Sequence, residues 1–198
     1  MQKLMLAGVA LSLAATPSLV AAGAWVGVHL GEAEVDVSIR DFNDGSLSAP
    51  KDSTRDTSLR LGGGYDFNRY VGIEAGYMDG GDIALSAISD GTGAVWTAGN
   101  VRISTTMTGL FLGLNGYLPV SERTRLTARA GLLAWDVDGH VVNPPTTVAT
   151  TDDGNDPYIG IGAELDLDES ATLNFNFASY DEVEIESVEL GIKLRFGK

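Results

Sequence analysis

The sequence predicts an all-β fold: an eight-stranded antiparallel up-and-down transmembrane β-barrel, preceded by a cleaved signal peptide. Three observations carry this expectation. Beyond residue 22 the apolar residues recur with period two rather than 3.6. The connections between alternating segments are short and long by turns. The polar face of those segments is rich in Gly, not in the Lys and Glu that usually cover a soluble surface.

The first 22 residues, MQKLMLAGVALSLAATPSLVAA, read as an export signal. Lys3 supplies the positive start, Leu4 to Ala15 the apolar run, and Val20-Ala21-Ala22 the small residues of a cleavage site. Cleavage is expected after Ala22, with Ala21 and Ala24 as alternatives. An uncleaved membrane anchor is the competing reading, because no charge occurs from Leu4 to Gly31. Pro17 interrupts that run, and the chain alternates after residue 22, which favours the signal. The expected organisation is thus a signal peptide at 1–22 and one barrel domain at 23–198.

Eight alternating segments follow in order. Ala24, Val26, Val28 and Leu30 oppose Gly27, His29 and Gly31. Leu59, Leu61, Gly63 and Tyr65 oppose Ser58, Arg60, Gly62 and Gly64. Val71, Ile73, Ala75 and Tyr77 oppose Gly72, Glu74 and Gly76. Leu110, Leu112 and Leu114 oppose Phe111, Gly113 and Asn115. Leu126 to Ala134 carries apolar residues opposite Thr127, Arg129 and Gly131. Ile159 to Leu165 opposes Gly160, Gly162 and Glu164. Leu173, Phe175 and Phe177 oppose Thr172, Asn174 and Asn176. Val188 to Phe196 opposes Glu189, Gly191, Lys193 and Arg195. Strands of about 9 to 11 residues suffice to cross a bilayer at a tilt. Short turns are expected at Asp66–Arg69, Val120–Arg123 and Asp166–Ser170, and long loops at Glu32–Asp56, Met78–Val101 and Asp136–Asp156. Tyr180–Glu184 is a short last connection. Asp90-Gly91 reads as a hairpin tip, so the strands on either side are expected to continue past the membrane. Aromatic residues near strand ends read as interfacial girdles: Trp25, Tyr65, Tyr70, Tyr117 and Phe196 at one rim, Tyr77, Trp135 and Tyr158 at the other. Tyr117 shares parity with Asn115, so it faces outward only if a bulge intervenes.

Composition narrows the chemistry. Asp plus Glu number 27 against 13 Lys plus Arg, for a net charge of −14, which argues against nucleic-acid partners. The absence of Cys removes disulfides, thiol catalysis and Cys-ligated metals. The Gly-rich runs lack the following helix and the Lys-Ser/Thr pair of a phosphate loop, and are read as allowing close packing and curvature.

The stretch LGGGYDFNRYVGIEAGYMDGG (Leu61 to Gly81) resembles a strand–turn–strand of the OmpA-like transmembrane domain and the wider outer-membrane β-barrel, or porin, family of Gram-negative envelopes. LNGYLPVSERTRLTARAGLLAWDVDG (Leu114 to Gly139) and DDGNDPYIGIGAEL (Asp152 to Leu165) resemble it too. The resemblance implies location in the cell outer membrane. It implies contact with outer-membrane lipids and lipopolysaccharide, and assembly by the barrel machinery through a C-terminal signal at Glu189, Gly191, Leu194 and Phe196. Gly197 and Lys198 depart from the family's aromatic ending, which bears on the efficiency of that assembly. Full-length OmpA proteins carry a peptidoglycan-binding domain after the barrel; no such segment follows here, so no tether to the cell wall through one is expected.

An eight-stranded barrel leaves an interior that side chains can fill. Arg60, Glu74, Arg129, Glu164, Glu189, Lys193 and Arg195 are expected to form a lumen ion-pair network. It reads either as a plug satisfying buried charges or as a gate whose pairs exchange. His29 and His140 lack any catalytic signature around them, so no enzyme activity and no catalytic residue is expected. The loop acids are densest at Asp152-Asp153-Gly154-Asn155-Asp156, which does not match an EF-hand. No metal site and no cofactor is therefore expected. The expected function is a structural outer-membrane barrel with exposed acidic loops, a charge-plugged lumen and a role in surface interaction or membrane integrity. The alternative is a narrow passive channel for small solutes or ions. A lipid-acting enzyme and a soluble lipocalin-like binder are the remaining readings.

Overall fold

The computed structural model describes residues 23–181 and 185–196. The expected signal peptide, the Gly197-Lys198 tail and part of the last connection lie outside the described residues. Among the described residues nine strands form: β1 (Gly23–Val35), β2 (Leu47–Ser53), β3 (Arg55–Asp66), β4 (Val71–Ser89), β5 (Gly99–Pro119), β6 (Thr124–Asn143), β7 (Thr146–Asp166), β8 (Ala171–Tyr180) and β9 (Ile185–Phe196). Eight of them close a ring of antiparallel pairs, β1–β3–β4–β5–β6–β7–β8–β9 and back to β1. Closure leaves the membrane-spanning part without a free strand edge, the condition a sheet must meet in hydrocarbon.

Each short turn is set by one polar side chain. Asn68 Oδ1 accepts from the backbone N–H groups of Tyr70 (2.7 Å) and Val71 (3.0 Å). Ser121 Oγ accepts from Arg123 (3.3 Å) and Thr124 (3.0 Å), and Asp168 Oδ1 from Ser170 (2.7 Å) and Ala171 (2.8 Å). Asn, Ser and Asp favour turns for this reason: their side chains satisfy the backbone groups that the reversal frees.

The alternating apolar residues face outward. Leu110, Leu112, Leu114 and Leu118 on β5 are all more than half exposed, as are Ile159 and Ile161 on β7. From Leu110 to Leu118 the strand runs about 27 Å, or about 21 Å across the membrane at a 40° tilt, close to the apolar band of such barrels.

One of the expected long loops is instead strand, and the other two are strand in part. Asp136–Asp156 is a continuous hairpin in unbroken register from Thr124↔Leu165 to Asn143↔Thr146. Five of the six residues from Thr146 to Thr151 are β-branched and prefer that pleated state, and only Pro144 and Pro145 stand at its tip. Glu32–Asp56 holds the extra strand β2, paired with the upper part of β4, and a 3₁₀ turn at Ile39–Phe42. Strands β4 to β7 are therefore about twice as long as β8 and form a tall crown on one side of the barrel. On the crown's concave face Ile39, Leu85, Ala87 and Val101 make a small buried core, with Val37, Leu47, Ile83, Trp96 and Ile103 packed against it.

Candidate functional site in the lumen

Period-two alternation points every second residue of each strand into the barrel, and the inward set is stacked in layers. Nearest the short turns lies a cluster around Glu164. Lys193 Nζ and Arg125 Nε both donate to its carboxylate, and Arg195 Nη2 lies 3.7 Å from it. Asp66 joins through the Tyr117 hydroxyl, which donates at 2.7 Å, and through Arg125 Nη2 at 3.4 Å. Asp166 accepts from Arg195 Nη1 and from the Thr172 hydroxyl, each at 2.8 Å. The Arg125 guanidinium stacks 3.9 Å over Tyr117, and Lys193 Nζ sits 4.3 Å from the Trp25 ring.

The next layer is a quartet. Arg60 Nη2 donates to Glu74 Oε1 at 2.5 Å, and the Tyr158 hydroxyl donates to the same oxygen at 2.8 Å. Glu189 is held less closely: Arg129 and Arg60 approach it to 3.6 and 3.7 Å, and neither of its oxygens has a hydrogen-bond partner among the described residues. Arg129 reaches Glu74 only at 4.0 Å. Among the described residues, His29, buried on β1 beside this layer, has no side-chain hydrogen-bond partner on either ring nitrogen, and the Asn115 amide has none.

Above the quartet the lumen turns apolar. Met78, Leu133 and Ala178 are fully buried, packed with Met107, Phe111, Tyr158, Tyr180, Ala33 and Ile185. Fully buried side chains in such a layer leave little space for water, since protein interiors pack to crystalline density.

Four expected girdle aromatics belong to this interior. Trp25 (3% exposed), Tyr117 (5%) and Tyr158 (2%) point into the lumen, and Trp135 packs against its apolar layer. No bulge turns Tyr117 outward, because the β5–β6 register is continuous from Arg102 to Pro119. The physical reason is glycine. A Cβ at Gly64 would come within 2.6 Å of the Trp25 ring, one at Gly113 within 2.2 Å of the Tyr158 hydroxyl, and one at Gly154 within 2.6 Å of Trp135. Large rings fill the gaps that glycines leave on facing strands. Tyr65, Tyr77 and Phe196 do face outward, and Phe67 joins them at the turn.

All seven charged residues singled out in the sequence lie in these layers: Glu164, Lys193 and Arg195 in the first, and Arg60, Glu74, Arg129 and Glu189 in the second. Sequence reasoning missed Asp66, Arg125, Asp166, Tyr117 and Tyr158. Parity with Arg60 and Arg129 marks Asp66 and Arg125 as inward once their strands are extended to the turns. The Asp152–Asp156 knot is strand, so its carboxylates alternate between faces; Asp156 is buried and accepts from the backbone N–H of Asp181 at 3.1 Å. His29 and His140 lie on opposite faces of the wall. No cluster of three or more His, Asp or Glu side chains able to hold a metal ion is present among the described residues.

A closed ring of eight antiparallel strands, lipid-facing leucines outside and ion pairs inside, is joined by a family match across residues 4–196 to the outer membrane protein beta-barrel domain. The chain belongs to that family. It is an outer-membrane protein, and its lipid-facing rows lie among the lipids and lipopolysaccharide of that membrane. Solved barrels share the architecture at low identity. OprG of Pseudomonas aeruginosa aligns with a TM-score of 0.57 at 15% identity, over 89% of this chain and 97% of its own. Neisserial surface protein A gives 0.54 at 9% identity, over 87% and 97%. Ail, the attachment invasion locus protein of Yersinia pestis, solved with the heparin analogue sucrose octasulfate, gives 0.50 at 12%, over 87% and 99%. No curated protein sequence matches the chain.

Proposed function

We propose that this barrel is a sealed structural element of the outer membrane that presents its crown for surface interaction, with lipopolysaccharide as its immediate neighbour. One observation carries the reading. The charged layers of the lumen are capped by an apolar layer whose Met78, Leu133 and Ala178 have essentially no exposed surface. An ion crossing it would lose its hydration without gaining a polar partner, at a cost of many kcal/mol. In this reading the network of Arg60, Glu74, Arg129, Glu164, Glu189, Lys193 and Arg195 is a plug. Met1 to Ala22 is removed on export. Leu194 and Phe196, exposed on the lipid face of β9, together with Glu189 and Gly191 form the signal read by the assembly machinery. No catalytic step is assigned to His29 or His140.

The second reading, a narrow passive channel, draws on the quartet. Arg60 and Arg129 share Glu74 and Glu189 at unequal distances, so their pairing could exchange. Single-channel recording of the purified protein in a planar bilayer, with folding checked by heat-dependent gel mobility, separates the two. A silent membrane holding folded protein is expected. Discrete openings whose size changes in Arg129→Ala would overturn the plug and favour the channel.

A further inference from the structure

The outward face of the crown is layered. Above the last leucine row, Asp79 pairs across the strands with Thr108, Asp136 and Asp153, and one step higher Asp82 pairs with Thr106, Asp138 and Thr151. The next row, Ser53, Ala84, Ser104 and His140, carries no carboxylate. The row above it reads Lys51, Ser86, Arg102 and Val142. Two cations thus lie two strand spacings apart, about 10 Å between their Cα atoms, on one face. Neither is held by a carboxylate in any ion pair among the described residues. Asp52, next to Lys51, is turned to the other face, where it accepts from the Ser38 hydroxyl at 2.7 Å and the Ile39 N–H at 3.1 Å.

A cavity of about 560 Å³ opens beside this row, floored by Ile88, Val142 and Pro144 and flanked by Lys51 and Arg102. The register shift between Ser48 and Lys51 displaces Ala49 and Pro50 and makes room for it. Its rim is fixed in advance. Asn143 Oδ1 accepts from the Thr97 N–H and hydroxyl, both at 2.7 Å, and its amide donates to Thr97 O at 3.1 Å and Asn100 O at 3.3 Å.

We propose that this cleft binds a phosphate-bearing core sugar of the lipopolysaccharide in the surrounding leaflet. The apolar floor suits the C–H face of a sugar ring, and Lys51 and Arg102 suit its phosphate. Height and direction choose the source. Arg102 lies eight residues above Leu110 on β5, about 20 Å above the apolar band at a 40° tilt, which is the depth of sugars rather than of acyl chains. The cleft faces sideways into the leaflet, where a neighbouring lipopolysaccharide stands. The five carboxylates of the two lower rows repel an anion at the acyl boundary, so the phosphate is taken at core height. This deepens the surface role proposed above, and channel recording there and binding here fail independently.

The test compares two lipopolysaccharides, one with a phosphorylated core and one reduced to lipid A, titrated into the purified protein in micelles. Wild type is expected to prefer the phosphorylated core about tenfold or more, the scale of one charge-assisted hydrogen bond. In Lys51→Ala/Arg102→Ala the two affinities should converge, with heat-dependent mobility unchanged because both side chains are exposed. Lys51→Arg should keep the preference. Equal binding of both lipids by wild type, or an undiminished preference in the double variant, would overturn the proposal. So would a soluble sulfated oligosaccharide binding at the cleft while the phosphorylated lipopolysaccharide does not.

Discussion

Glu164 and Glu189 stand in the same lumen, both almost fully buried, and they are held in different ways. Glu164 accepts from Lys193 and Arg125 and has Arg195 close by. Glu189 lies 3.6 to 3.7 Å from two guanidinium groups and accepts no hydrogen bond from the described residues. The difference teaches where the lumen is rigid. A buried charge with good hydrogen bonds costs most when its partners are removed, whereas a buried charge without them already bears the cost of leaving water. The layer near the short turns is therefore the fixed part of the lumen, and the quartet above it is the adjustable part.

The largest effect is expected at Glu164. Glu164→Gln leaves buried Lys193 without its carboxylate and strips one partner from Arg125 and Arg195, which keep Asp66 and Asp166, and should destabilise the barrel by about 3–5 kcal/mol. Equilibrium urea unfolding in lipid vesicles measures it. A loss under about 1 kcal/mol would erase the distinction between the two layers. Glu189→Gln is the matching measurement. It relieves an unbonded buried carboxylate but leaves buried Arg129 only its 4.0 Å approach to Glu74, so a smaller loss, about 1–2 kcal/mol, is expected. A cost equal to that of Glu164→Gln would show the quartet to be as fixed as the layer below it.

The spanning strands and their lipid face were legible because alternation in sequence is alternation in space. Arg60, Glu74 and Arg129 could be assigned inward on parity alone. Their pairing could not, because it depends on the stagger between strands that only the closed ring defines. The aromatic girdle misled at Trp25, Tyr117, Trp135 and Tyr158. Position near a strand end says nothing about face, and parity, read against the glycines at 64, 113 and 154, carries the answer. The hairpin of β6 and β7 was hidden by its acids. Asp136, Asp138, Asp152 and Asp153 look like loop composition, yet above the membrane a strand can show charge on both faces.

The crown extends the comparison from the lumen to water. There a carboxylate is held by uncharged donors. Asp44 accepts from the Ser46 hydroxyl at 2.6 Å and from the Val95 and Trp96 N–H groups at 2.7 and 3.3 Å, tying the first long connection to the second. The Ser46 hydroxyl, then the Val95 N–H, hold its carboxyl well below the usual Asp range. Because the folded value is the lower one, this contribution is complete above the ordinary value of about 4 and is lost only as pH falls through the folded value. Trp96, whose indole donates to Phe42 O at 2.9 Å, reports on it. Acrylamide quenching of the crown tryptophan should stay constant from neutral pH down to about 4 and rise only in stronger acid. In Asp44→Ala it should be raised at every pH, with unfolding of the barrel little changed, because the link joins exposed segments. Quenching that rises between pH 6 and 4 in wild type would mean that some other group, and not Asp44, fastens the crown.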